Sequence, residues 1–217
     1  DGTGITSLNI PTSLVTIGDG AFQGKNFGAL VMPPNVTTIG DSAFRNSNIT
    51  SLTLNSQVTS IASNAFALNQ LTSVTLPPSL QTIGSRAFER NQLTSLTIPS
   101  SVTSIGGYFN GKDIVSIVFA PNSGVTVIPD AAFSSMSSLT SITLPDRVQV
   151  IGHYAFKYDS NLRSIVLPDT ITTIGSGGVF DGTGITSLNV PTSLVTIGSG
   201  AFQGTISGAL GMPPNVT

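Results

Sequence analysis

The side chains that most often do chemistry are few in this sequence. The sole histidine, His153, stands in the segment IGHYAF, and the chain has no cysteine. A catalytic or metal-binding histidine needs carboxylate, thiolate or imidazole partners, and none stands at a recognisable spacing from His153. In similar segments its place is taken by Asp41, Ser63 or Ser85. We therefore expect an exposed turn residue, with no catalytic role, no bound metal and no cofactor.

Glycine and acidic residues could also suggest a site. Gly18, Gly20 and Gly24 are close together, but a phosphate-binding loop also needs a strand before it, a long helix after it and usually a lysine. The 10 acidic residues are scattered, and none forms a calcium-binding loop. Asp146 and Asp169, each directly after a proline, are a pair that adjacent repeats could bring together. Structural and surface roles are favoured for both sets, so we expect no enzyme activity.

Hydroxyl side chains recur at regular intervals. Threonines that alternate with apolar residues include Thr53, Thr75, Thr97 and Thr143, each with a serine two residues before it. Threonine suits an exposed strand and packs well against its own kind on the next strand, which is a purely structural explanation. The alternative is a flat docking surface for a protein or glycan. A further alternative is ice binding, because regular threonine arrays can order water.

Apolar and aromatic residues interrupt the regular pattern of hydroxyl side chains in some repeats. Val118 and Val166 replace threonine, and Tyr108, Tyr154 and Tyr158 occur in neighbouring repeats. Such a change on a hydroxyl-rich surface indicates a contact site, although sequence drift in a tolerant repeat explains it equally well. The predicted binding residues are therefore Thr53, Thr75, Thr97, Val118, Thr143, Val166, Tyr108, Tyr154 and Tyr158.

The composition of the chain argues against nucleic acids and membranes as binding partners. Only 8% of residues are charged and the net charge is −2, so the chain lacks the basic clusters that nucleic acids or anionic membranes require. No apolar run approaches the length of a bilayer span, which argues against direct membrane insertion. A hydroxyl-rich, charge-poor surface is typical of secreted and cell-surface proteins.

These residues are positioned by a short internal repeat. An isoleucine recurs at 17, 39, 61, 83, 105, 128, 151, 174 and 197, spaced by 22 residues four times and then by 23 residues four times. A phenylalanine follows nearly every one of them by five residues. Fixed periods of this size indicate a solenoid, in which each repeat forms one coil and buries its apolar side chains against its neighbours.

The segment LTSLTIPSSVTSI, residues 93–105, represents one coil. Alternation at Leu96 and Ile98 predicts a strand with one buried face, and Pro99 predicts its end. A second extended piece ends at Ile105. We expect a positive φ at the corner glycine, represented by Gly84, and one short helical turn in the A-F-x-x-N segment. Asparagines at the end of that segment, Asn48, Asn69 and Asn91, are expected to bond to turn backbone as a structural ladder.

The string L-x-x-L-x-(L/I)-P-x-x-(V/L)-x-x-I-G-x-x-A-F-x-x-N resembles the BspA-like, or Treponema pallidum-type, leucine-rich repeat. The resemblance covers the whole chain, although this chain has asparagine where the family often has cysteine. It implies a mainly β, right-handed leucine-rich-repeat solenoid with a parallel β-sheet on the concave side. About nine to ten coils of 22–24 residues would give a rod about 45 Å long. Family members are mostly bacterial surface proteins associated with adhesion, and the family implies no catalytic residues.

A longer period is superimposed on the short one. Residues 1–37 and 181–217 are identical at 31 of 37 positions, an offset of eight coils. We interpret residues 1–217 as a single solenoid domain and as a slice of a longer array.

The sequence thus predicts a non-catalytic, extracellular or cell-surface adhesion or recognition module. It would bind a protein or glycan on host or neighbouring cells through its repeat β surface. The alternatives are a structural spacer or stalk that self-associates end to end, and an ice-binding protein.

Overall fold

The chain forms a β-solenoid in which the strands of successive coils pair in parallel along two sides. A computed structural model describes residues 10–109 and 111–204, and all regular elements in those ranges are β-strands. Nine isoleucine-bearing rungs lie in this part of the chain, which confirms the predicted solenoid. Residues 1–9 and 205–217, which belong to the long-period duplication, fall outside the described residues.

One sheet, here called the side sheet, consists of two-residue strands that end at the repeated isoleucines. These strands are β1 (Thr16–Ile17), β3 (Thr38–Ile39), β5 (Ser60–Ile61), β6 (Thr82–Ile83), β8 (Ser104–Ile105), β10 (Val127–Ile128), β12 (Val150–Ile151), β14 (Thr173–Ile174) and β15 (Thr196–Ile197). All pairings are parallel and align each isoleucine with the next, for example Ile61 with Ile83. The side sheet is interrupted once in the described residues, between β8 and β10.

The other sheet, here called the front sheet, consists of longer strands from the L-T-S-L-T segments. These are β2 (Gly28–Val31), β4 (Ile49–Thr53), β7 (Ser95–Ile98), β9 (Ser116–Phe119), β11 (Ser141–Thr143) and β13 (Ser164–Val166). Strands β2 and β4 form one parallel pair, and β7, β9, β11 and β13 form a four-stranded sheet. The intervening segment 71–76 forms no assigned strand, so the front sheet is interrupted in a different coil from the side sheet.

The core is a column of apolar side chains enclosed by the coils. Phenylalanines of successive coils stack, with ring centroids 5.4 Å apart for Phe44 and Phe66 and 5.7 Å apart for Phe66 and Phe88. A second stack runs from Phe109 to Phe202. Repeated valine, leucine and isoleucine positions fill the remaining volume and are almost entirely buried. Apolar burial therefore accumulates coil by coil, as expected for a repeat protein.

The segment around each phenylalanine corrects one expectation, because it contains consecutive turns and no helical turn. Its amides bond to the following coil, as in the donation from Phe44 N to Ala65 O at 2.8 Å. The residues two before and two after phenylalanine adopt positive φ, for example Arg86 and Arg90 around Phe88, with φ of 58° and 54°. Alternation of these conformations keeps the backbone extended enough to pair between coils, which a helical turn would prevent.

The corner glycine corrects a second expectation. Gly84 does not have a positive φ. A Cβ added to it would lie 2.5 Å from the carbonyl carbon of Ala62, and one added to Gly175 would lie 2.7 Å from that of Gly152. A side chain at Gly84 or Gly175 would therefore clash with the backbone of the preceding coil, which favours glycine at these two positions. Ala62 and Pro129 occupy the same corner in two other coils.

The asparagine ladder is confirmed at two of its three expected positions. The side chains of Asn69 and Asn91 are buried and bond to backbone of their own coil and the preceding one. The prediction for Asn48 is wrong by one residue, because the equivalent position is the fully buried Ser47. Asn48 is exposed and bonds to Asn26 and Gln70 on the outer surface.

Candidate docking surface

The outward side chains of the front sheet form rows that cross the coils. The central row pairs Val31 with Thr53, Thr97 with Val118, and Thr143 with Val166. Their alternation with buried residues follows from the two-residue period of a strand, which turns every second side chain to solvent. The predicted Thr53, Thr97, Thr143, Val118 and Val166 are all exposed and belong to this row.

A serine row runs parallel to the central row, two residues earlier in each strand. Ser95, Ser116, Ser141 and Ser164 lie in register on β7, β9, β11 and β13. Serine and threonine hydroxyls donate and accept hydrogen bonds without carrying charge. The front sheet therefore presents a flat polar surface with little electrostatic preference.

Thr75 is exposed but lies in the segment 71–76, which has no strand assignment. An open groove of about 340 Å³ adjoins this segment and is lined by Val74, Thr75, Leu76, Pro78, Thr97 and Pro99. The buried side chains of Leu71 and Leu76 keep the segment anchored in the core. Thr75 therefore belongs to the front surface although it does not continue the sheet.

Exposed valines interrupt the hydroxyl rows near the middle of the described chain. The exposed fractions of Val118 and Val166 are 52% and 58%. Val115 is also exposed and precedes Val118 in the same coil, where most coils have threonine. Val31, with an exposed fraction of 70%, is a further valine of the central row. Sequence reasoning missed Val115 and Val31, although alignment of their repeats with residues 49–53 would have found both.

A bulge at a corner of the solenoid lies beside these valines. Val125 follows Phe119 by six positions, whereas Val102 follows Ile98 by four positions at the same corner of the preceding coil. The two extra residues accompany the gap in the side sheet between β8 and β10. They border an open groove of about 380 Å³ that is lined by residues 116–123 and 141–147. Val118, Thr143 and Arg147 are among the residues that line this groove.

The three predicted tyrosines belong to a different surface. Tyr108, Tyr154 and Tyr158 are exposed, but they lie in the turn segments around the phenylalanines and not on the front sheet. The guanidinium carbon of Arg86 is 4.4 Å from the ring centroid of Tyr108. Lys157 Nζ lies 5.4 Å and 4.9 Å from the ring centroids of Tyr154 and Tyr158. The structure therefore divides the predicted binding residues between two surfaces.

His153 lies at an exposed corner, where its ring bonds to the next coil. Its Nδ1 accepts a hydrogen bond from the backbone N–H of Ser176 at 2.9 Å and lies 2.7 Å from the Ser176 hydroxyl. Asp130 accepts from the backbone N–H of His153 and not from its ring, so this is not a catalytic triad arrangement. These contacts join successive corners of the solenoid.

In residues 10–109 and 111–204, no group of three or more His, Asp or Glu side chains comes together as a possible metal site. No helix there has the length and apolar character needed to cross a bilayer.

Solved structures with a similar fold are leucine-rich repeat proteins. A leucine-rich repeat protein from Bacteroides ovatus is 28% identical with a TM-score of 0.79, and the match covers 88% of this chain and 50% of that one. A leucine-rich cell surface protein from Faecalibacterium prausnitzii is 25% identical with a TM-score of 0.52, over 91% and 64% of the two chains. The T. pallidum leucine-rich repeat protein is 25% identical with a TM-score of 0.53, over 78% and 70%.

The chain thus spans about half to two thirds of the length of these proteins. A comparison with curated proteins gives no match. The sequence matches the family described as BspA type leucine-rich repeat region, with six copies, over residues 1–114 and 107–208. Together with the observed solenoid, this match means that the chain belongs to the BspA-type leucine-rich repeat family.

Proposed function

We propose that this chain is a non-catalytic recognition module of the cell surface that binds another protein through its front sheet. The observation that carries this proposal is the pair of exposed valines Val118 and Val166 in the central row of the front sheet, with the exposed Val115 directly before β9. Exposed apolar side chains are unfavourable in water, and the free energy falls when a partner covers them. The groove beside Val118 adds a concave contact next to the flat one.

A protein partner is favoured over a glycan by the chemistry of this surface. Valine offers apolar area without a donor or acceptor, and sugar hydroxyls placed against it would lose hydrogen bonds to water. The exposed tyrosine rings, which could stack against a sugar ring, lie on the turn segments and not beside the valines. A protein can instead place apolar side chains over the valines and polar groups over the surrounding serine and threonine hydroxyls.

The cell-surface location is supported by the similar protein from F. prausnitzii, which is described as a leucine-rich cell surface protein. The low charge and hydroxyl-rich sheets agree with an extracellular setting. Host cells or neighbouring cells are the proposed source of the partner.

A self-associating spacer and an ice-binding protein remain alternatives. The valines in the central row interrupt the regular threonine array that ice binding would need.

The proposal is tested by replacing the valines with the residue that other coils place in the same row. The double variant Val118→Thr and Val166→Thr keeps a β-branched side chain on each strand and removes apolar surface. The control is Val195→Thr, because Val195 is also 58% exposed and lies outside the front sheet. Binding would be measured against an array of extracellular proteins and on whole cells.

We expect the double variant to bind about tenfold more weakly or worse, as is typical when central contact residues are lost. Val195→Thr should bind like the unaltered chain. Equal binding by the double variant would contradict the proposed site. Binding to glycans in the absence of any protein ligand would contradict the proposed class of partner.

A further inference from the structure

The asparagine ladder contains one position occupied by an acid. In the regular coils the ladder residue follows phenylalanine by three positions, as Asn91 follows Phe88. The Oδ1 atom of Asn91 accepts a hydrogen bond from the backbone N–H of Leu71 at 3.0 Å. Its Nδ2 group donates to the carbonyl oxygens of Phe66 and Phe88, each at 2.9 Å. One side-chain amide thus joins two coils.

Asp159 occupies the same place three residues after Phe156. It is completely buried, with an exposed fraction of 0%. Its Oδ1 accepts from the backbone N–H of Met136 at 2.8 Å, which corresponds to the bond from Ser47 N to Asn69 Oδ1. Its Oδ2 has no hydrogen-bond partner in the described part of the chain. By the repeat geometry, Oδ2 takes the place of the asparagine NH₂ group, which faces carbonyl oxygens.

An ionised carboxylate cannot replace that NH₂ group. A carboxylate oxygen only accepts hydrogen bonds. Next to carbonyl oxygens, its negative charge would be buried without a donor and repelled by their partial negative charges. A protonated carboxyl group has an O–H that can donate to a carbonyl, as the amide does. We propose that Asp159 is a neutral carboxylic acid in the folded protein, that its Oδ2–H donates to the ladder carbonyls, and that this proton links the stability of the surrounding coils to pH.

The surroundings of Asp159 provide no cation to stabilise a carboxylate. The preceding segment, residues 134–138, contains only serines and a methionine, and the following segment contributes Asp181. Lys157 is the nearest lysine in sequence, but its Nζ lies 3.4 Å from Asp181 Oδ2 and close to the rings of Tyr154 and Tyr158. Burial raises the pKa of Asp159 to about 9, although hydrogen bonds from the Met136 and Ser135 amides lower it.

The direction of the pH effect follows from this pKa. The pKa of Asp159 is higher in the folded chain than the ordinary value of 3.8, so the folded state holds the proton more tightly. The stabilising contribution is fully present below about pH 4 and is lost progressively as pH rises toward about pH 9. The coils around Asp159 are therefore most stable in acidic surroundings.

Asp159→Asn provides the test, because asparagine supplies the ladder amide without a proton to lose. Thermal unfolding of the full chain would be followed at about pH 4.5, 7 and 9. We expect the Tm of Asp159→Asn to exceed that of the unaltered chain by an increment that grows from pH 4.5 to pH 9. The control Asp169→Asn, at an exposed position, should show no such increase. A Tm difference that is independent of pH would overturn the proposal.

Infrared spectra provide a second measurement that does not depend on stability. With ¹³C-labelled aspartate at about pH 7, the unaltered chain should show a C=O stretching band of a protonated carboxylic acid. Asp159→Asn should lack this band and Asp169→Asn should retain it. A spectrum of the unaltered chain with only ionised carboxylates at this pH would also overturn the proposal.

Discussion

Thr97 on β7 and Val118 on β9 lie directly opposite each other in the parallel front sheet. This pair marks the change from a hydroxyl row to an apolar surface within one coil. The outward position is the same and both side chains are β-branched, so the exchange affects the surface much more than the strand. The chemistry of the solenoid surface can therefore change from coil to coil while the core remains regular.

Binding through the valine surface should depend little on salt. Charged residues are 8% of the chain, and the serine and threonine hydroxyls around the valines carry no charge. Between about 50 and 500 mM NaCl we expect the Kd for a protein ligand to change by less than about threefold, because screening acts on charges. Surface plasmon resonance across this range checks it, and a much steeper dependence would indicate a charged contact elsewhere.

Loss of a stacked phenylalanine should destabilise the solenoid strongly. Phe66 is fully buried between Phe44 and Phe88, so Phe66→Ala removes two ring contacts and leaves a cavity. We expect the free energy of unfolding to fall by about 3–5 kcal/mol in chemical denaturation. The matched variant Phe22→Ala should cost less, since Phe22 is only half-buried. Phe22 also makes two ring contacts, so equal costs at both positions would show that the fuller burial of Phe66 contributes little.

Glycine should stabilise the chain at a left-handed turn position. Arg90 is exposed and has a φ of 54°, a conformation that strains a residue with a side chain. Arg90→Gly relieves this strain, and we expect a gain of about 0.5–1 kcal/mol in the free energy of unfolding. Arg45→Gly serves as the control, because Arg45 is not at a positive φ and its replacement should destabilise the chain. Urea denaturation of both variants decides the outcome.

Removal of a ladder amide should leave several buried backbone groups without partners. Asn91→Ala removes the bonds from Leu71 N–H and to the carbonyls of Phe66 and Phe88. We expect a loss of about 3 kcal/mol in the free energy of unfolding, since each orphaned group costs about 1–3 kcal/mol. Gln92→Ala, at the exposed neighbouring position, should change it by less than about 0.5 kcal/mol.

The sequence predicted the inward side chains reliably because the solenoid repeats the same burial in every coil. Ile61 and Phe66 could be placed in the core from spacing alone. The reason for the corner glycine could not be found in this way, because the close approach of Gly84 to Ala62 involves residues 22 positions apart. A glycine needed for a positive φ and a glycine needed for a close contact between coils look the same in the sequence.

The candidate surface was predicted only in part for similar reasons. The segment LTSVTL, residues 71–76, has the same pattern as its neighbours, yet it leaves the front sheet. The tyrosines are near the valines in sequence order, but the path of each coil places them on the turn segments. By contrast, the longer spacing from Ile105 to Ile128 was visible in the sequence, and this coil lines the groove.

The two sheets are interrupted in different coils, and this offset has a mechanical consequence. Where the front sheet lacks a strand at residues 71–76, β5 and β6 remain paired in the side sheet. Where the side sheet is interrupted between β8 and β10, β7, β9 and β11 remain paired in the front sheet. Neither interruption therefore cuts through the whole cross-section, and a pulling force along the axis would meet hydrogen-bonded strands at both.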